Sequence, residues 1–227
     1  EISTSFGGTG ANHNTYCGNI LMEGSTFTAQ TESIIYDNYV PGTLSTGVNS
    51  TVFDNIADKM TVGANSFAYN NTVTTMTVSG ANAGAHQNTV DAMTVSGAGA
   101  NVGKNTIHTT ATVSGSNVIF FSNVIGIPEN NGALSASASD VIGDSGSLKV
   151  TGKNDTISNN IIYGVVSITG ANTAFDLNTV TDVVTVSSND NKITGNEITT
   201  KGDYAIDLTS SSGNTIEYNR LISADKK

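Results

Sequence analysis

Few side chains in this 227-residue chain could do chemistry, and their spacing is what makes them worth weighing. Asp37 and Asp54 fall at equivalent places, each immediately before an asparagine. Asp58 and Asp91 share a second place, three residues after an asparagine, and His108 follows them in it. Carboxylates stacked about 5 Å apart could hold a cation, and two or three facing one bond are what a polysaccharide hydrolase needs. A polysaccharide lyase needs carboxylate-held calcium and a strong Arg or Lys base beside it. Arg220 is the only arginine, and Lys59 beside Asp58 is a poor candidate for that base. The simpler reading is that these acids are solvated on a surface whose formal net charge is −10. His13, His86 and His108 share no common place, which argues against a three-histidine metal site. Cys17 is single, so there is no disulfide framework and no cysteine metal site, and it reads as a small wall residue. No catalytic residue, metal or cofactor is assigned.

What must position these groups is a repeat. An asparagine recurs at Asn19, Asn38, Asn55, Asn71, Asn88, Asn105, Asn123, Asn160, Asn178, Asn196 and Asn219, and Asp144 divides the one double-length gap, which predicts twelve units. Three residues before it lie Tyr16, Ile35, Val52, Ala68, Ala85, Val102, Phe120, Val141, Ile157, Phe175, Ile193 and Ile216. Two after it lie Leu21, Val40, Ala57, Val73, Val90, Ile107, Ile125, Gly146, Ile162, Val180, Ile198 and Leu221. A third strip alternates apolar, polar, apolar, as in Met60-Thr61-Val62, Met76-Thr77-Val78, Met93-Thr94-Val95 and Val184-Thr185-Val186, the mark of a strand with one buried face. Ser79-Gly80, Ser96-Gly97, Ser114-Gly115 and Thr169-Gly170 follow such strips and suit turns. No segment keeps helical spacing.

The prediction is an all-β single-stranded right-handed parallel β-helix, a β-solenoid of about twelve short coils in a rod roughly 55–60 Å long at one strand spacing per coil. Residues 1–227 form one domain, with 1–15 as an N-terminal cap or first partial coil, 16–222 as stacked coils and 223–227 as a tail. Loops are expected at Gly126 to Ser139 and at Thr200 to Gly213. The asparagines belong at a corner between strands, where stacked amides form a ladder, each donating to one neighbour and accepting from another.

Outward alternation places Tyr36, Phe53, Tyr69 and His86, with Phe121 further along, in a strip two residues before the asparagine. That strip has three readings: a surface covered by the chain's own N-terminal segment or loops, a partner or subunit interface, or a glycan contact. The outward threonines Thr61, Thr77, Thr94 and Thr112 suggest an ice-matching ladder, but Lys149, Ser167 and Asp207 spoil its uniformity.

An acidic chain without a basic stripe excludes nucleic acid and acidic membranes as partners. No apolar run of 18 residues is present, so no transmembrane segment is expected. The coil pattern starts almost at once and runs nearly to the last residue, which predicts a fragment of a larger protein with open ends or missing caps. Asn49-Ser50-Thr51, Asn70-Asn71-Thr72 and Asn154-Asp155-Thr156 match glycosylation acceptors, a weak pointer to an extracellular setting.

Asn154-Asp155-Thr156-Ile157-Ser158-Asn159-Asn160-Ile161-Ile162 and Asn214-Thr215-Ile216-Glu217-Tyr218-Asn219-Arg220-Leu221-Ile222 resemble the repeat of right-handed parallel β-helix proteins. That group holds pectate lyases, sugar epimerases, tail-spike depolymerases and surface adhesins. The closing run from Asn219 to Lys227 resembles the end of the repeat region in adhesin-like surface proteins of methanogenic archaea. Coils of 16–18 residues are shorter than those of many such enzymes and leave little room for a deep cleft. Left-handed triangular helices also use eighteen-residue coils, but their even hexapeptide sides do not fit the uneven columns here. The resemblance implies an extracellular, cell-surface adhesin or structural stalk that adheres to host or microbial cells or polysaccharide, with possible oligomers through the aromatic strip or open ends. The alternative it implies is a polysaccharide-active lyase or hydrolase, or a non-catalytic carbohydrate-binding relative.

Overall fold

The computed structural model describes residues 6–7, 12–126 and 146–223. Among these residues all regular structure is β, in two parallel sheets of sixteen and eleven strands. The chain winds as a β-solenoid. Each coil runs through a short strand, turns at the asparagine, continues along a second face, bends, and closes along a third. Ile34–Tyr36, Thr51–Phe53 and Phe67–Tyr69 are successive short strands, in register on Ile35, Val52 and Ala68. Single long strands such as Ile56–Val62, Thr72–Val78 and Thr89–Val95 cover the second and third faces together.

Eleven asparagine rungs stack, giving about ten turns and a rod of roughly 48 Å at one strand spacing per turn. This corrects the expected twelve coils and the longer rod. The backbone N–H and Nδ2 of Asn123 donate directly to Oδ1 of Asn160, 37 residues on, so no rung lies between them. Asp144 had the right spacing but is not a rung of the ladder. Gly146, expected two residues past that rung, pairs instead with Gly164. Val141, Asp144, most of the loop expected from Gly126, and parts of the proposed cap and tail lie outside the described residues. The loop expected from Thr200 to Gly213 contains a strand, Ile206–Leu208, paired in register with Val184–Val186.

The inward columns behave as the alternation requires except in the last coil, where Ile216 and Leu221, expected inside, are 37% and 52% exposed because no further described coil covers them. Ile35, Val52, Ala68, Ala85, Val102, Phe120, Ile157, Phe175 and Ile193 are fully buried, as are Val40, Ile107, Ile125, Ile162, Val180 and Ile198. Volume is balanced within a coil: those carrying Ala68 and Ala85 also carry Met76 and Met93 in the third strip. Large beside small keeps the cross-section constant, which a stack of near-identical rungs demands.

Two corners are left-handed in every rung. The residue before each ladder asparagine has φ between 53° and 66°, whether it is Gly18, Asp37, Lys104, Leu177 or Tyr218. The residue six before the asparagine has φ between 51° and 69°, from His13 to Gly213. Side chains as large as leucine and tyrosine adopt this conformation at a cost. The repeated hydrogen bonding of the corner must outweigh it.

The third corner is closed by contact. Gly63, Gly80, Gly97, Gly115, Gly152 and Gly170 each lie against the backbone of the coil before. A Cβ on Gly170 would overlap the carbonyl oxygen of Gly152. Gly170→Ala is therefore expected to force the two coils apart and cost roughly 2–4 kcal/mol, on the scale of overpacking and broken ladder bonds. Urea denaturation checks it, and an unchanged midpoint would show that the corner can relax. No helix among the described residues is long and apolar enough to cross a membrane.

Candidate functional site

The asparagine ladder comes first, because it sets the spacing of everything outside it. Nδ2 of each asparagine lies 2.8–3.1 Å from Oδ1 of the next. The same Oδ1 also accepts the backbone N–H of the previous asparagine, as from Asn71 to Asn88 at 3.0 Å. Nδ2 of Asn88 additionally reaches the carbonyls of His86 in its own coil and Ala68 in the coil before, both at 3.1 Å. The amide thus satisfies the main-chain groups that the left-handed corner leaves unpaired. This is a structural role for all eleven asparagines.

A second column, five residues before each ladder asparagine, does similar work at its polar positions and was missed in the sequence. It reads Asn14, Ser33, Ser50, Ser66, Ala83, Ala100, Val118, Asp155, Thr173, Asn191 and Asn214. Ser33 N–H donates to Ser50 Oγ, Ser50 N–H to Ser66 Oγ, Thr173 N–H to Asn191 Oδ1, and Val118 N–H to Asp155 Oδ1 at 2.9 Å. Asp155 is the anomaly. It is 1% exposed, and its Oδ2 has no partner. Burial pushes its carboxyl up to about 6, with the Val118 N–H pulling weakly the other way.

The predicted aromatic strip forms on the outer wall of the short-strand sheet. Tyr36, Phe53 and Tyr69 stack with centroids 5.1 and 4.9 Å apart and planes within 5°. Phe53 has a ring on each side, so the trio turns its edges and phenol groups outward more than its faces. The Cys17 side chain, by hydrogen bond and charge, holds the Tyr36 phenol above its ordinary value, with smaller contributions from burial and Asp37. His86 continues the column but meets Phe121 edge-on at 5.9 Å and 60°, because Gly103 lies between them. Burial, then the nearby Lys104 charge, lowers the His86 imidazole below its ordinary value. A Cβ on Gly84 would collide with the Phe67 ring, and one on Gly103 with Phe121. The glycines let these rings lie flat.

Further exposed apolar residues flank the strip. Ile34 and Phe67 stand two residues before it, and Ile20, Tyr39 and Ile56 stand just past the asparagine corner; all five are between 45% and 61% exposed. Their signal was outward alternation on either side of the strip, which the sequence reading followed in one column only. Together with Tyr36, Phe53 and Tyr69 they make an apolar ridge over the first four coils, in files on either side of a corner that carries Gly18, Asp37, Asp54 and Asn70.

Beyond the ridge the long strands bend outward, with register shifts at Val40/Thr43 and Val90/Ala92. The bend leaves an open concavity of about 190 Å³, with Tyr39, Ile56, Thr72 and Thr89 on one wall and Pro41, Asp58, Thr74, Asp91 and His108 on the other. His108 Nδ1 meets Asp91 Oδ1 at 2.8 Å. Asp58 pairs in neither contact, since Thr74 stands between it and Asp91 in the column. Asp37 and Asp54 stack on adjacent coils as predicted, at exposed left-handed corners, where the conformation itself favours Asp and Asn. His13 sits apart, with Nε2 2.7 Å from Glu32. Among the described residues no three His, Cys, Asp or Glu gather as metal ligands would.

No protein-family model matches the chain, and no significantly similar curated protein or solved structure was found for it.

Proposed function

We propose that this chain is a segment of an extracellular, adhesin-like cell-surface protein, of the kind methanogenic archaea display, acting as a non-catalytic stalk that adheres through its side walls to cells or polysaccharide. The observation that carries the reading is the apolar ridge of Ile20, Ile34, Tyr39, Ile56 and Phe67 around the Tyr36-Phe53-Tyr69 stack. Exposed apolar surface on the order of several hundred Å² marks an interaction site on soluble proteins. A second group of exposed apolar residues, Tyr204, Leu208, Tyr218 and Leu221, lies at the last described coils, whereas the ridge lies on the side wall of the first four. Replacing Tyr36 and Tyr69 with alanine together is expected to reduce binding to a glycan array or to whole cells at least tenfold. Thermal stability should change little, since both side chains are outside the core. Binding that survives both changes removes the strip from the reading.

A second reading, a polysaccharide-active enzyme, is favoured by one feature: the Asp91–His108 pair beside Asp58 in an open concavity. Carboxylates and an oriented imidazole are the groups such chemistry uses. Incubation with polysaccharides decides it. Chain shortening that disappears when Asp58, Asp91 and His108 are replaced together, with the fold intact, makes the protein an enzyme.

A further inference from the structure

We infer that the concavity beside the ridge is a subsite for an extended, cationic sugar chain, one built of β-1,4-linked units with free amino groups. This rests on the reading above, that the side walls contact polysaccharide, and names the class. The concavity spans the coils from Pro41 to His108, four steps or roughly 19 Å along the rod. A small volume spread over so many coils suits a linear polymer and not a compact ligand.

The two walls differ in chemistry. Tyr39 and Ile56 offer apolar surface against which the carbon faces of a sugar ring can lie. Further along, that wall continues as Thr72 and Thr89; the other wall offers the carboxylates of Asp58, facing Ile56, and Asp91, facing Thr89, with the Thr74 hydroxyl between them. The basic group lining the concavity is His108, and it is tied to Asp91. An acidic sugar chain would face two carboxylates with no free cation to neutralise it, so uronate polymers are disfavoured. Amino groups are matched.

Spacing sharpens the match. Asp58 and Asp91 stand two coils apart, roughly 9.6 Å along the axis. In a β-1,4-linked chain each unit is turned over relative to the last, so amino groups on one side recur every second unit, a repeat close to that separation. An extended peptide presents side chains on one side about every 6.6–6.8 Å. Its lysines would drift out of step with the pair.

Isothermal titration with a hexamer of β-1,4-linked glucosamine, at mildly acidic pH and low salt, tests the assignment. Probes run in parallel are the fully N-acetylated hexamer, a galacturonate hexamer and a lysine-rich peptide of similar charge. The expected result is binding of the amino-sugar hexamer, weakened at least tenfold by Asp58→Asn with Asp91→Asn and by Tyr39→Ala. It should be nearly unchanged by Glu217→Gln with Asp207→Asn, which removes the same charge from the far end of the rod. Equal loss in both double variants means general attraction to an acidic protein and overturns the subsite. Tighter binding of the lysine peptide through the same carboxylates also overturns it. Binding of the acetylated or uronate hexamer in preference overturns the cationic assignment while leaving polysaccharide contact standing. Failure of every glycan overturns both.

Discussion

Asn88→Ala is expected to destabilise the protein by roughly 4 kcal/mol, from two or more buried polar groups left without partners at about 1–3 kcal/mol each. Asn88 is 1% exposed, and its Oδ1 accepts both the backbone N–H and Nδ2 of Asn71. Its Nδ2 serves Ala68 O, His86 O and Asn105 Oδ1. Alanine removes the acceptor for the Asn71 backbone N–H and the donor to Ala68 O, neither of which can reach water. The matching change at the partly exposed end of the ladder, Asn19→Ala, should cost about 1 kcal/mol, the worth of an ordinary hydrogen bond. Urea denaturation with amide exchange at Asn71 measures both. Equal small losses at the two positions would mean that the ladder follows the fold without supporting it. Asn88→Asp is a sharper probe. It keeps the acceptor, loses the donor, and points charge at two carbonyls, so it should be damaging at neutral pH and partly restored by acid.

Asp155→Asn should act in the opposite sense and stabilise by roughly 3 kcal/mol above pH 6, the equivalent of a shift from 3.8 to about 6 at 1.36 kcal/mol per unit. The sign follows from burial. A carboxyl whose folded value lies above its unfolded one favours the folded state only when protonated. Below about pH 4 there is no penalty; it grows as pH rises to 6 and is constant above that. Its column neighbours Val118 and Thr173 carry no charge to offset it. Asparagine supplies the missing donor, as Asn191 does toward Ser188 O and Thr173 Oγ1 does toward Gly170 O. The native protein should therefore gain stability from this group between pH 7 and pH 4, and the variant should lose that gain. Parallel pH profiles for the two would show that Oδ2 is solvated after all.

The inward files and the asparagine ladder were legible because one residue type recurs at one place, and burial of that place admits few substitutes. The second polar corner was not, because serine, asparagine and aspartate all supply the acceptor there, Thr173 donates instead to Gly170 O, and Ala83, Ala100 and Val118 supply none. A constant function was written in a varied alphabet. Its trace was the residue before it, asparagine at Asn49, Asn65, Asn82, Asn117, Asn154 and Asn172, all left-handed. Asp144 misled for the converse reason: interval alone cannot tell a rung from a detour. For the candidate site, outward alternation located Tyr36, Phe53 and Tyr69, and the shared column located Asp91 and His108. Ring-against-ring stacking and the concavity were out of reach, since the first depends on side-chain rotamers and the second on where long strands bend.

Gly126 and Gly146 are the described residues on either side of 127–145, and their backbones lie so near each other that a Cβ on Gly146 would come 2.8 Å from the Gly126 Cα. Together they make one doorway. Any polypeptide whose ends meet could be spliced through it, with little entropic burden from closing the loop, while the rungs on either side keep their partners. Decoration of the shaft and integrity of the shaft are thereby separable, so that a lineage, or an engineer, can exchange what the rod carries without rebuilding what carries it.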